Sequence, residues 1–119
     1  MNVDVRIKSE DLKSALRTYI QRRLHFTLGR FAGKLGRVRV RVEDVPGAGD
    51  LLEASCRIHA EILPARRVLR QEAVDRNLYV AVDLATERIG RSFERAIRNA
   101  GGFRTEGDIA SYSRKKALL

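Results

Sequence analysis

Residues 37–45, RVRVRVEDV, alternate strictly. Along a β-strand successive side chains point to opposite faces. Val38, Val40 and Val42 therefore share one face, and Arg37, Arg39 and Arg41 share the other. The pattern requires a sheet with one face against a core and one face in water. Three arginines in a row on a strand are a basic feature. They are read first as a solvated face, where arginine also guards against edge pairing.

Three more stretches ask for the same kind of sheet. Residues 2–8, NVDVRIK, place Val3, Val5 and Ile7 opposite Asp4, Arg6 and Lys8. Residues 53–62, EASCRIHAEI, turn Ala54, Cys56, Ile58, Ala60 and Ile62 inward and Arg57, His59 and Glu61 outward. Residues 68–74, VLRQEAV, read as a short fourth strand. PGAGD at 46–50 is a loop and Pro64–Arg67 a turn.

Two helical patterns complete the chain. Ser9 opens S-E-D-L, an N-cap with acids in the first turn. A helix from there to about Leu28 has Leu12, Leu16, Tyr19, Ile20 and Thr27 as its inner stripe. Lys13, Arg17 and Arg22 lie on its flanks and outside, and Arg23 packs its stem while its head reaches water. Gly29 ends this helix, and Gly33 and Gly36 mark a loop. A second helix, capped by Asp75, runs to about Asn99 and stops at Ala100-Gly101-Gly102. Its stripe is Leu78, Val82, Ala85, Ile89, Phe93 and Ala96.

The order is β-α-β-β-β-α. Each helix has one apolar stripe and the sheet one apolar face. The expected fold is an α+β two-layer sandwich, a four-stranded sheet with two helices packed on one face. The domain spans residues 1–100. Residues 101–119 show no clear period and carry Arg114, Lys115 and Lys116, so a flexible basic C-terminal tail is expected.

Charge narrows the function. The chain has 119 residues, 24 of them Lys or Arg against 15 Asp or Glu, and a formal net charge of +9. That suits an anionic partner. Arg88, Arg91, Arg95 and Arg98 gather on one arc of the second helix, away from its apolar stripe. Glu87 and Glu94 stand four residues before Arg91 and Arg98, where ion pairs form well. Arg88 and Arg95 have no acid at that spacing, and Arg91 repels Arg95. An external polyanion explains this choice better than helix stability does; a solvated charged face is the plainer alternative.

Enzyme chemistry finds little footing. His25 and His59 are the only histidines and Cys56 the only cysteine. His59 points to the wet face and Cys56 to the core, so they form no pair, and Cys56 reads as an inert core residue. There is no phosphate loop, HExxH or nucleophile elbow. No catalytic residue, metal ligand set or cofactor is expected. The lone cysteine fits a reducing compartment. No apolar run reaches membrane-span length, and MNVDVRIKSED lacks the order of a signal peptide. A cytoplasmic location without membrane association is expected.

One run is more specific. Leu78-Tyr79-Val80-Ala81-Val82-Asp83, followed by Glu87-Arg88-Ile89 and then Arg91, Arg95 and Arg98, resembles the ribosome hibernation-promoting factor family, which includes the ribosome-associated translation inhibitor. Leu12-Lys13-Ser14-Ala15-Leu16-Arg17-Thr18-Tyr19-Ile20 is similar to the family's first helix, and Phe31 matches an aromatic near its end. The resemblance covers about residues 2 to 99. It implies a β-α-β-β-β-α domain on the small ribosomal subunit, near the decoding centre and the mRNA/tRNA channel, that inhibits translation and stabilises inactive ribosomes under stress. The implied partners are the small subunit and its ribosomal RNA, with no small-molecule substrate. The implied RNA contacts are Arg88, Arg91, Arg95 and Arg98, with Lys13, Arg17 and Arg22 as lesser ones. Long members add a second domain that pairs ribosomes. This chain stops near residue 119, so it resembles a short form with no self-dimerisation domain. Asn77 stands where members often have an acid, and mid-helix Gly90 costs about 1 kcal/mol relative to alanine.

Two other readings stay open. A double-stranded-RNA-binding module shares the α-β-β-β-α core, but places a lysine cluster where this chain has only Arg76. A non-ribosomal stress or interaction protein would carry its charge for solubility alone.

Overall fold

A computed structural model describes residues 1–8 and 13–101. Strand β1 is Asn2–Lys8, helix α1 Lys13–Leu28, strands β2, β3 and β4 are Leu35–Pro46, Leu52–Ile62 and Arg67–Asp75, and helix α2 is Leu78–Gly101. The order β-α-β-β-β-α is the one the periodicities require. The sheet runs β1-β2-β3-β4. β1 lies parallel to β2, a pairing that needs a crossover, and α1 provides it. β2, β3 and β4 form antiparallel hairpins. Each of the last three strands is one to three residues longer than its alternation suggests. The proposed cap Ser9, Leu12, Gly102 and the tail lie outside the described residues.

Register aligns the apolar alternations into continuous rows. Ile7, Val42, Cys56 and Ala73 form one row, and Val38, Ala60 and Leu69 belong to another. A slip of one residue in β2 would drive its arginines into the core, so the pairing is strongly specified. Both helices cover this apolar face. From α2, Val82, Ala85, Ile89 and Phe93 are fully buried.

The inner stripe of α1 differs from expectation. Leu16, Ile20, Leu24 and Leu28 are fully buried, at strict i, i+4 spacing. Tyr19 and Thr27 are only half-buried. The reason is that α1 has two neighbours at an angle to each other. The leucines and Ile20 meet the sheet layer, while Tyr19, Arg23 and Thr27 face α2. The expected loop after Gly29 is a 3₁₀ segment, Gly29–Lys34. It brings Phe31 against Phe93, ring centroids 5.1 Å apart.

The cap of α2 is Asn77 rather than Asp75. Asn77 Oδ1 accepts the N–H groups of Tyr79 (2.9 Å) and Val80 (3.3 Å), which serves the orphan donors of the first turn. Asp75 acts one step earlier, its Oδ2 accepting the Asn77 N–H at 2.8 Å.

Gly90 has a packing reason. A Cβ there would stand 2.5 Å from Thr27 Cγ2, so the glycine lets the two helices close. Gly90→Ala should destabilise the fold by about 1–2 kcal/mol in urea titration, overpacking outweighing the gain in helix propensity. Adding Thr27→Ser, which removes the opposing methyl, should recover most of it. A lone Gly90→Ala that stabilises the protein would contradict this packing.

Candidate nucleic-acid interface

The four arginines of α2 fall within about 80° of arc and spread over about 15 Å of helix, from 100° and 1.5 Å per residue. All four are exposed. Arg88 Nη1 donates to the Glu72 carbonyl of β4 at 2.8 Å, and Gln71 Nε2 of the same strand donates to Ser92 Oγ at 2.7 Å. These contacts put the arc on the β4 flank of α2, away from α1.

Arg88 is thus not free, as its spacing from acids suggested. Its head is tied to a carbonyl by one of five N–H donors, and the rest can still meet a phosphate. The expected helical ion pairs do not form. Glu94 pairs instead with Arg30 across the seam, at 3.8 Å. Among the described residues, Arg91, Arg95 and Arg98 pair with no acid.

The α1 candidates lie elsewhere. Arg17 Nη1 donates to the Val5 carbonyl of β1 at 2.7 Å, so it sits on the opposite flank of the helical layer from the α2 arc. Arg22 is exposed on the outer face. Lys13 opens α1, with its side chain outside the described residues. The fold gathers the α2 four into one patch and sets Arg17 on the far flank from it.

The motif Tyr79…Asp83 turns out to be a helix–helix latch. Tyr19 donates its hydroxyl to Asp83 Oδ1 at 2.5 Å, and its ring meets Tyr79 edge-on at 4.8 Å. Arg23 Nε stands 3.2 Å from the same carboxylate oxygen, an ion pair whose N–H misses hydrogen-bond alignment. The Asp83 hydrogen bond, then burial, raise the Tyr19 pKa, so the phenol stays a donor.

Across the sheet, the outward faces of β1 to β4 carry Arg6, Arg39, Arg41, Arg57, His59 and Arg70. Partial burial, then Arg70, Arg39 and Arg57, lower the His59 pKa. Cys56 lies on the other face, fully buried, its thiol pushed up to about 12 by burial alone. No thiolate forms near neutral pH to act as nucleophile or ligand. Sequence reading had singled out only the β2 arginines here. The alternation of β1 and β3 puts Arg6, Arg57 and His59 on the polar phase, whereas Arg70 follows only from the pairing of β4 with β3.

A family model described as "Sigma 54 modulation protein / S30EA ribosomal protein" matches residues 3–99. Two solved structures share the fold. One is the N-terminal domain of Protein Y from Thermus thermophilus, at TM-score 0.65 and 23% identity, covering 81% of this chain and 99% of that one. The other is a ribosomal subunit interface protein from Coxiella burnetii, at TM-score 0.63 and 14% identity, covering 81% and 97%. Among curated proteins none matches the chain by sequence. None of the described helices is long and apolar enough to cross a membrane.

Proposed function

Because the chain belongs to the sigma 54 modulation protein / S30EA ribosomal protein family, whose members are ribosome-associated factors, we propose that it binds the small ribosomal subunit and holds it inactive under stress. The site is ribosomal RNA near the decoding centre, in the channel that mRNA and tRNA use. Occupying that channel blocks initiation without any bond being made or broken. The action requires shape and charge alone.

The observation that carries this reading is the α2 arc. Arg91, Arg95 and Arg98 stand exposed with no acid partner, in a row that a phosphate backbone can follow. Arginine suits the task, since its planar fork meets two phosphate oxygens at once. Asp83, Tyr19 and Tyr79 support the site indirectly, because the latch fixes α2 against α1. A double-stranded-RNA module would need a cluster of cations at the start of its last helix, where this chain has Arg76 alone among Asp75, Asn77 and Asp83.

The test is a purified translation system. The protein added before initiation should suppress product in proportion to its ratio to small subunits. Added after ribosomes are loaded with mRNA and tRNA, it should leave the first round of elongation intact. Equal inhibition in both orders would refute channel occupancy.

A further inference from the structure

The open face of the sheet is a second basic surface that the α2 reading leaves unused. Strand register sets like charges directly across from each other. Arg6 on β1, Arg41 on β2 and Arg57 on β3 occupy one rung, which Glu72 of β4 completes, and Asp4, Arg39, His59 and Arg70 occupy the neighbouring one. Directly opposed like charges destabilise a sheet.

Acids offset the first rung. Glu43 stands 2.8 Å from Arg57 and 3.9 Å from Arg41, and Glu72 stands 3.9 Å from Arg57. Asp4 lies 3.6 Å from Arg6. The second rung holds a single acid, Asp4 opposite Arg39, and its carboxylate turns to Arg6 instead. Among the described residues Arg39 and Arg70 pair with no acid, and His59 lies between them.

A shallow cleft lined by Asp4, Arg6, Arg39, Arg41, Arg57 and His59 opens over both rungs. Strands lie about 4.8 Å apart, and successive residues on one face about 6.8 Å apart. The cations are therefore spread over an extended area instead of closing around a point. Such a layout suits a chain of phosphates more than a single ion.

We propose that the open sheet face holds a second stretch of RNA backbone, with Arg39 and Arg70 as its principal contacts and His59 between them. The inference rests on the ribosomal RNA reading above. The helices cover one face of the sheet and this surface is the other, so the protein acts as a wedge between two RNA segments, gripping each by charge.

The experiment compares four proteins for small-subunit binding over a series of salt concentrations: wild type, Arg39→Gln/Arg70→Gln, Arg91→Gln/Arg95→Gln, and the quadruple variant. Each pair should lower the slope of log K against log salt by about 1.5–2 units, and the quadruple variant by their sum. Melting temperatures should hold, because all four side chains are exposed and pair with no acid among the described residues. A wild-type slope in the sheet pair, beside a reduced slope in the α2 pair, would overturn this inference and leave the ribosomal reading standing. No salt-dependent binding by wild type would overturn both.

A second readout needs no ribosome. With α2 disabled by Arg91→Gln/Arg95→Gln, a twelve-nucleotide single-stranded RNA should still shift the His59 ring signals in NMR. Signals that stay unmoved at saturating RNA would overturn the sheet contact.

Discussion

Replacing Arg91, Arg95 and Arg98 together by glutamine should weaken small-subunit binding about a hundredfold or more near physiological salt. Three charge-assisted contacts to phosphate, each worth at least about 1 kcal/mol net, multiply to that factor. The slope of log K against log salt should fall by about 2–3 units, since each lost contact spares about one counterion. The fold should not suffer. All three side chains are exposed and unpaired with acids, and such substitutions stay within about 0.5 kcal/mol. Removing the Arg91–Arg95 repulsion should, if anything, stabilise α2 slightly. Filter binding across a salt series gives both numbers. An unchanged slope would mean that these arginines touch no phosphate.

The second large effect is on stability. Phe93→Ala should cost about 3–5 kcal/mol, the range for deleting a large buried aromatic. Phe93 is fully buried and pairs with Phe31 of the 3₁₀ segment, so its loss opens a cavity and frees that connection. Domains of this size have about 5–15 kcal/mol in total, so the variant should lie near the threshold of unfolding. Phe26→Ala is the matched control. Phe26 is 81% exposed, and its removal should change stability by no more than about 0.5 kcal/mol. Urea denaturation of both proteins decides the point. A Phe93→Ala cost below about 1 kcal/mol would contradict the packing described.

Much of this architecture was legible in the chain. The alternations at residues 2–8, 37–45 and 53–62 separate the core face from the wet face correctly, because a period of two leaves no ambiguity once one face is buried. The stripe of α2 was equally plain, being amphipathic with polar residues opposite. α1 was harder. Leu24 and Leu28 proved to be core and Tyr19 and Thr27 seam, since a helix with two neighbours buries more than one stripe. The cap was misassigned to Asp75 because Asp75 and Asn77 are both good capping residues, and only the geometry of the first turn separates them.

The candidate site was legible to a lesser degree. The α2 arc follows from 3.6 residues per turn, so its exposure could be anticipated. Its tie to Glu72 could not, since that contact joins residues sixteen apart through the docking of α2 on β4. Local spacing rules likewise paired Glu94 with Arg98, whereas the tertiary fold gives it to Arg30. The resemblance-bearing run from Tyr79 to Asp83 was legible as a pattern but not as a mechanism. Its work in holding α2 against Tyr19 and Arg23 appears only when the helices are docked. The stacking of like charges across the sheet depends on register, which no single strand reveals.

The most direct test of the central claim is co-sedimentation with purified bacterial small subunits, with and without mRNA and initiator tRNA. The account predicts one protein bound per subunit, released when mRNA and initiator tRNA are supplied together. Binding that survives saturating mRNA and tRNA, or that is matched by any duplex RNA of equal length, would contradict it.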